Sequence, residues 1–155
     1  MVTFAKQNRV LRAHLDGVLF TPVLRNVLVH HIIDAYQCIY TQSPELVRMV
    51  DECDAVAKQY LIENKHLFSK HKIVLEGLED IDSMWSSSHM GSCAKIKISS
   101  TFFYACDKAH QREHSMRAGS YVDIAFHAPV LWIFQGKAGV SWRAYQIKAV
   151  SSSTA

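Results

Sequence analysis

Val130-Leu131-Trp132-Ile133-Phe134, then Gln135-Gly136-Lys137-Ala138-Gly139, then Val140-Ser141-Trp142-Arg143-Ala144-Tyr145-Gln146-Ile147-Lys148-Ala149-Val150 reads as strand, tight connection, strand. Branched and aromatic side chains fill both outer runs, and two glycines sit in the connection between them. Upstream, Tyr121-Val122-Asp123-Ile124-Ala125-Phe126 is a further strand, and His127-Ala128-Pro129 separates it from Val130. Proline has no N–H for a sheet ladder, so a break or bulge is expected there. Lys95-Ile96-Lys97-Ile98-Ser99 alternates polar with apolar residues and sets both lysines on one face. Lys72-Ile73-Val74-Leu75 is another strand candidate.

One segment reads differently. Ser43 is an N-cap candidate, Pro44 suits the first helical position and Glu45 suits the positive end of the dipole. Leu46, Met49, Val50, Cys53, Val56, Ala57, Tyr60 and Leu61 then recur at helical spacing, which predicts an amphipathic helix running to about His66. Before it, Val27 to Tyr40 is rich in branched and aromatic types and favours a long or broken strand. Val10 to Phe20 reads as two short strands about Asp16-Gly17. The expected class is α+β and β-rich: an antiparallel barrel or sheet with one main amphipathic helix. Residues 1–150 are expected to form a single domain, with 151–155 as a flexible tail.

The chain has 155 residues, of which 49% are apolar and 20% charged, enough to bury a core. No apolar run approaches the roughly 18 residues of a membrane span, and Met1-Val2-Thr3-Phe4 does not open a signal peptide. No membrane partner is expected. Four cysteines (Cys38, Cys53, Cys93, Cys106) are too few to suggest a disulfide scaffold, so a reducing intracellular compartment is the default. Charge is segregated: the net value is +2 over residues 1–42, −4 over 43–82 and +5 over 83–155. Basic ends around an acidic middle suggest one surface that attracts polyanions.

The side chains near the carboxyl end suit such a surface. On a continuous 140–150 strand, Ser141, Arg143, Tyr145 and Ile147 share one side, while Trp142, Ala144, Gln146 and Lys148 share the other. Each side pairs a ring with a cation, and a flat ring stacks on any base while Lys or Arg takes the phosphate. Lys95, Lys97, Lys137, Phe102, Phe103 and Tyr104 extend the track. The alternative for Trp132 and Trp142 is burial in the core. Cys93, Cys106, His110 and His114 form the nearest approach to a zinc set, without the paired spacing of a zinc motif. Nucleophile-elbow, P-loop, Gly-x-Gly-x-x-Gly and His-Glu-x-x-His signatures are all missing, so neither enzymatic activity nor a cofactor is expected.

Segment order adds a resemblance. Thr21-Pro22-Val23-Leu24, the helix from Glu45 to Phe68, Ile73 to Asp82, the lysine-bearing Ala94–Ile98, Gly119–Asp123 and the run from Leu131 to Lys148 follow one another. With Trp132, Gly136-Lys137, Gly139, Trp142 and Gln146 as its most specific part, this order resembles small single-stranded DNA-binding proteins of large DNA viruses with an OB-like barrel. The resemblance covers most of residues 15–150. It implies a non-enzymatic protein that coats single strands during viral DNA replication or recombination, at the intracellular site of replication. Lys137, Arg143 and Lys148 would then contact phosphates, and Trp142 or Tyr145 would stack. Homo-oligomers and other replication proteins are the implied partners. The phage-type proteins of this style carry an acidic tail, whereas Ser151-Ser152-Ser153-Thr154-Ala155 has no charge. A different class remains open: a virion or assembly component that packs against other subunits.

Overall fold

Hairpin turns are set first by local chemistry. In the computed structural model, which describes residues 1–7, 9–66, 78–105, 108–109 and 116–150, Gln135 and Gly136 take φ of 49° and 76°. Two successive left-handed residues form the turn whose twist matches paired strands. β11 (Val130–Phe134) and β12 (Lys137–Ser141) therefore close directly on Gln135-Gly136, pairing from Phe134↔Lys137 to Val130↔Ser141. Lys137, Ala138 and Gly139 belong to the strand and not to the connection. The Asp16-Gly17 turn joins β2 (Val10–Leu15) to β3 (Val18–Leu19) as the sequence suggested, and β1 (Val2–Gln7) flanks β2.

The apolar run before the helix is a broken strand. β4 (Val23–Ile33) leads through one 3-10 turn at Asp34–Tyr36 into β5 (Cys38–Gln42), which folds back antiparallel onto it. α1 (Pro44–Glu63) then starts where its signals lie: Ser43 Oγ accepts the Leu46 N–H at 3.3 Å, and Pro44 opens the first turn. Leu46, Val50, Cys53, Asp54, Ala57 and Leu61 form its buried stripe, and the helix lies against β1, β12 and β7 (Cys93–Lys97). Burial of Cys53, reinforced by the charges of Glu52 and Asp54, pushes its thiol up to about 12, so it is no nucleophile. Glu79, Asp80 and Asp82 fall in a short helix, α2 (Leu78–Met84). The strand expected at 72–75 lies outside the described residues, as do the end of the expected helix beyond His66 and the 151–155 tail.

The remaining strands are β6 (His89–Met90), β8 (Phe102–Ala105), β9 (Lys108–Ala109), β10 (Tyr121–Phe126) and β13 (Ala144–Ala149). They build two sheets. One has the order β1-β2-β11-β12, with β3 beside β2; the other runs β6-β7-β5-β4-β10-β13-β8-β9. All pairs are antiparallel except β13 with β8. The described chain is thus α+β and strand-rich with one principal helix. Its strand order is a path and not a closed ring among the described residues, and an isolated parallel bridge between Lys97 and Arg143 draws β7 toward the start of β13.

The expected single strand over 140–150 does not form. The chain leaves the first sheet at Ser141, turns through Trp142-Arg143 and enters the second sheet as β13. The partner segment crosses at the same level: β10 ends at Phe126 and β11 begins at Val130, so His127-Ala128-Pro129 is the break the proline forecast. A bulge between Ala125 and Phe126 leaves Tyr145 without a partner on β10, and simple alternation therefore fails there. Ile147 is fully buried while Tyr145 stays 46% exposed. Trp142, at the turn between sheets, is drawn into the core at 1% exposure, with its ring edge-on to Phe126 at 5.5 Å. No helix among the described residues is long and apolar enough to cross a membrane.

Candidate nucleic-acid interface

The two crossings make a seam between the sheets. The Lys97 N–H donates to the Trp142 carbonyl at 2.8 Å, the His127 N–H to the Arg143 carbonyl at 3.0 Å and the Ala13 N–H to the Pro129 carbonyl at 2.9 Å. These bonds fix the backbone of β2, β7, β10–β11 and β12–β13 in one place, and each of those segments carries a basic or imidazole side chain: Arg12, Lys97, His127 and Arg143.

Three concavities follow the seam. The smallest, about 100 Å³, is lined by Ser86, Ser87, Ser88, Lys95, Lys97, Trp132 and its neighbours on β12. Ser141 joins it to a second of about 300 Å³, lined by Arg12, His127 and Arg143. Arg12, His127 and Ala128 join that one to a third of about 490 Å³, which ends at Tyr145. No carboxylate lines any of the three.

The electrostatics follow from that lining. Burial pushes the Lys97 ammonium down from its usual range, and the Arg143 and Lys95 charges add to the effect. His127 is likewise held below its ordinary value by burial, then by Arg143 and Arg12. Neighbouring like charges disfavour the charged form. Among the described residues, none of Arg12, Lys95, Lys97 and Arg143 has a carboxylate ion-pair partner.

Exposed rings lie beside these cations. Tyr145 meets His127 edge-on at 5.2 Å and Phe102 at 5.7 Å, and Phe102 is 57% exposed. The seam thus brings together four of the residues singled out in the sequence: Lys95, Lys97, Arg143 and Tyr145. Others part from it. Trp142 is buried and has no face open for stacking, because the chain turns inward there. Phe103 packs half-buried against the core, opposite fully buried Ile147, and Phe102 takes the exposed place instead. Tyr104 pairs with Lys148 in register, and neither lines the three concavities. Lys148 stands across from Asp123, whose carboxylate meets Arg25 at 3.5 Å and accepts the Asn26 N–H at 3.0 Å. Lys137 is exposed at the tip of the β11–β12 hairpin, away from these concavities.

Arg12, His127 and the serine run 86–88 are additions that sequence reasoning missed, while Trp132, weighed there between ring and core, is half-buried and lines the smallest concavity. His127 had a usable signal, since a proline break at 127–129 opposite a strand bearing Arg143 puts the imidazole at a crossing. Arg12 had none, because its place depends on the register Val130↔Arg12 between distant strands. Of the metal-like set, Cys93 is buried, with its Sγ 3.9 Å from Ser92 Oγ. Cys106, His110 and His114 lie outside the described residues. No grouping of three or more His, Cys, Asp or Glu side chains suited to a metal occurs among the described residues.

No protein-family model, curated protein or solved structure matches this chain.

Proposed function

We propose that this protein binds single-stranded nucleic acid with little regard to sequence, along the seam between its two sheets. The observation that carries the reading is that Lys95 and Lys97 line one concavity and Arg12 and Arg143 the next along the seam, that no carboxylate lines either, and that Arg143 lies near enough to Lys97 to depress it. Crowded, partly desolvated cations gain most from a polyanion, and counter-ion release supplies the affinity. Tyr145 and Phe102 offer exposed rings for base stacking, while Arg143 sits where a backbone phosphate would pass.

The finer architecture in this reading is OB-like. β4 pairs with both β5 and β10, β5 with β7, and β10 with β13. The β7–β8 run then follows β13 in parallel, through Lys97↔Arg143 and Phe102–Tyr104↔Gln146–Lys148. OB proteins carry single strands on a five-stranded, partly open barrel, and the pairing of β4, β5, β7, β8, β10 and β13 is what supports that reading here. Coating exposed strands during viral replication or recombination is the role that suits such a surface.

Titration of labelled oligothymidine across a salt series tests the proposal. Binding should weaken steeply as salt rises and fall sharply in a Lys97→Glu, Arg143→Glu variant. Salt-independent binding, or none at micromolar protein, would sink it. A light-scattering mass far above a dimer without nucleic acid would then favour a virion or assembly component.

A further inference from the structure

The three concavities shrink in order along the seam, from about 490 Å³ through 300 Å³ to about 100 Å³. The smallest is a built enclosure. The Ser86 N–H donates to the Ala138 carbonyl at 2.8 Å, Ser88 Oγ to the Val140 carbonyl at 3.1 Å, and the Lys95 N–H to the Ser88 carbonyl at 2.8 Å. The 86–88 segment is thereby tied to β12 on one side and β7 on the other. Ser87 Oγ donates to buried Asp54 at 2.6 Å and accepts the His89 N–H at 3.0 Å, which anchors the same segment to α1. Gly139 lets the 86–88 segment and the Trp132 ring come close to β12. A Cβ there would run into the Ser86 carbonyl oxygen and lie 2.9 Å from a Trp132 ring carbon.

The charges on offer there are cationic: Lys95 and Lys97 are ammonium groups with no carboxylate partner among the described residues. Two ammonium groups lining one small concavity favour an anionic oxygen. A volume of about 100 Å³ has room for about three waters, at about 30 Å³ each. That suits a group the size of a tetrahedral oxyanion.

We propose that this narrow end holds a phosphate monoester, the terminal phosphate of a strand whose nucleotides occupy the wider part of the seam. The terminal source rests on the strand-binding reading above, while recognition of the oxyanion stands on the lining alone. A terminal monoester carries close to two negative charges at neutral pH, against one for a linking phosphate, and two adjacent lysines match it.

The test compares oligothymidines ending in 5′-phosphate, 3′-phosphate or hydroxyl, with inorganic phosphate as a separate arm read by intrinsic tryptophan fluorescence. One phosphorylated end should bind about fivefold or more tighter than the hydroxyl end. The preference should fade below about pH 6 as the monoester dianion takes up one proton and falls to a single negative charge. Lys95→Gln should abolish the preference, weakening the phosphorylated end by more than it weakens hydroxyl-ended strands, which lose one of several phosphate contacts. Equal affinity for all ends with no fluorescence response to phosphate overturns the inference, even where salt-dependent strand binding persists. A preference that survives Lys95→Gln overturns it too, because the phosphate then sits elsewhere. A saturable phosphate response without strand binding supports the oxyanion site and removes strand binding as the function.

Discussion

Cations on the flanks of this protein and cations in its seam are the same residue types in opposite circumstances. On the flanks, Lys58 Nζ meets Asp82 at 2.9 Å and lies 5.5 Å over the Trp85 ring. Arg25 meets Asp123, and the His89 ring nitrogen meets Asp51 at 2.8 Å. In the seam, Arg12, Lys95, Lys97 and Arg143 have one another and His127 as charged company. The first group is satisfied within the fold and contributes modestly to stability, since exposed pairs contribute little. The second has like charges for neighbours and no carboxylate partner among the described residues, which is the property the proposed strand binding draws on. Position relative to carboxylates, and not the number of basic residues, separates a structural charge from a binding charge.

The sharpest way to break this contrast uses two rings three residues apart. Trp142→Ala should cost about 3–5 kcal/mol of stability in urea unfolding, because it empties a fully buried aromatic site. Tyr145→Ala should leave the unfolding midpoint nearly unchanged and weaken strand binding by roughly 1–3 kcal/mol; unaltered binding would remove Tyr145 from the interface. Next comes charge. Lys97→Glu with Arg143→Glu should lower affinity about 100-fold at low salt. Lys97→Gln or Arg143→Gln alone should reduce the salt slope by about 1, whereas Arg25→Gln should leave the slope where it is. Equal effects in Arg25→Gln and Arg143→Gln would erase the distinction between flank and seam.

Smaller effects come from the two histidines, whose shifts have opposite signs. His127 is depressed in the free protein by burial, Arg143 and Arg12. A phosphate placed among those charges raises it again, so binding takes up protons. Affinity should therefore improve as pH falls from 7.5 to 6, and His127→Gln should flatten that dependence. His89 is raised, first by its hydrogen bond to Asp51. Its contribution to folding is complete below the unfolded value near 6.5 and is lost as pH rises through the higher folded value. Asp51→Asn should thus destabilise the protein by under about 1 kcal/mol at pH 5.5 and by less at pH 8.5, as thermal melts would show.

Much of the secondary structure was legible because its signals are local. Ser43-Pro44-Glu45 begins α1, Asp16-Gly17 and Gln135-Gly136 turn hairpins, and Pro129 interrupts a strand. The site was legible only by half. Alternation along 140–150 assumed a continuous strand, and the chain instead changes sheets at Trp142-Arg143 and bulges at Tyr145. Both events depend on strands more than 15 residues away, which periodicity does not register. Trp142 was offered as a stacking ring and proves to be core, while Lys148 and Tyr104 follow their own strand pair away from the groove. Arg12 joins because β2 happens to pair with β11.

The double crossing has a mechanical consequence. The two sheets are linked at one level by His127-Ala128-Pro129 and by Trp142-Arg143, and those links carry the residues that line the middle of the groove. Cation spacing is therefore tied to how the two sheets meet, because the passages that carry His127 and Arg143 are also held by the Lys97–Trp142 backbone bond. An occupant that bridges the charges would act as a clasp across this junction, and slower hydrogen–deuterium exchange at the Lys97 amide would register the stiffening.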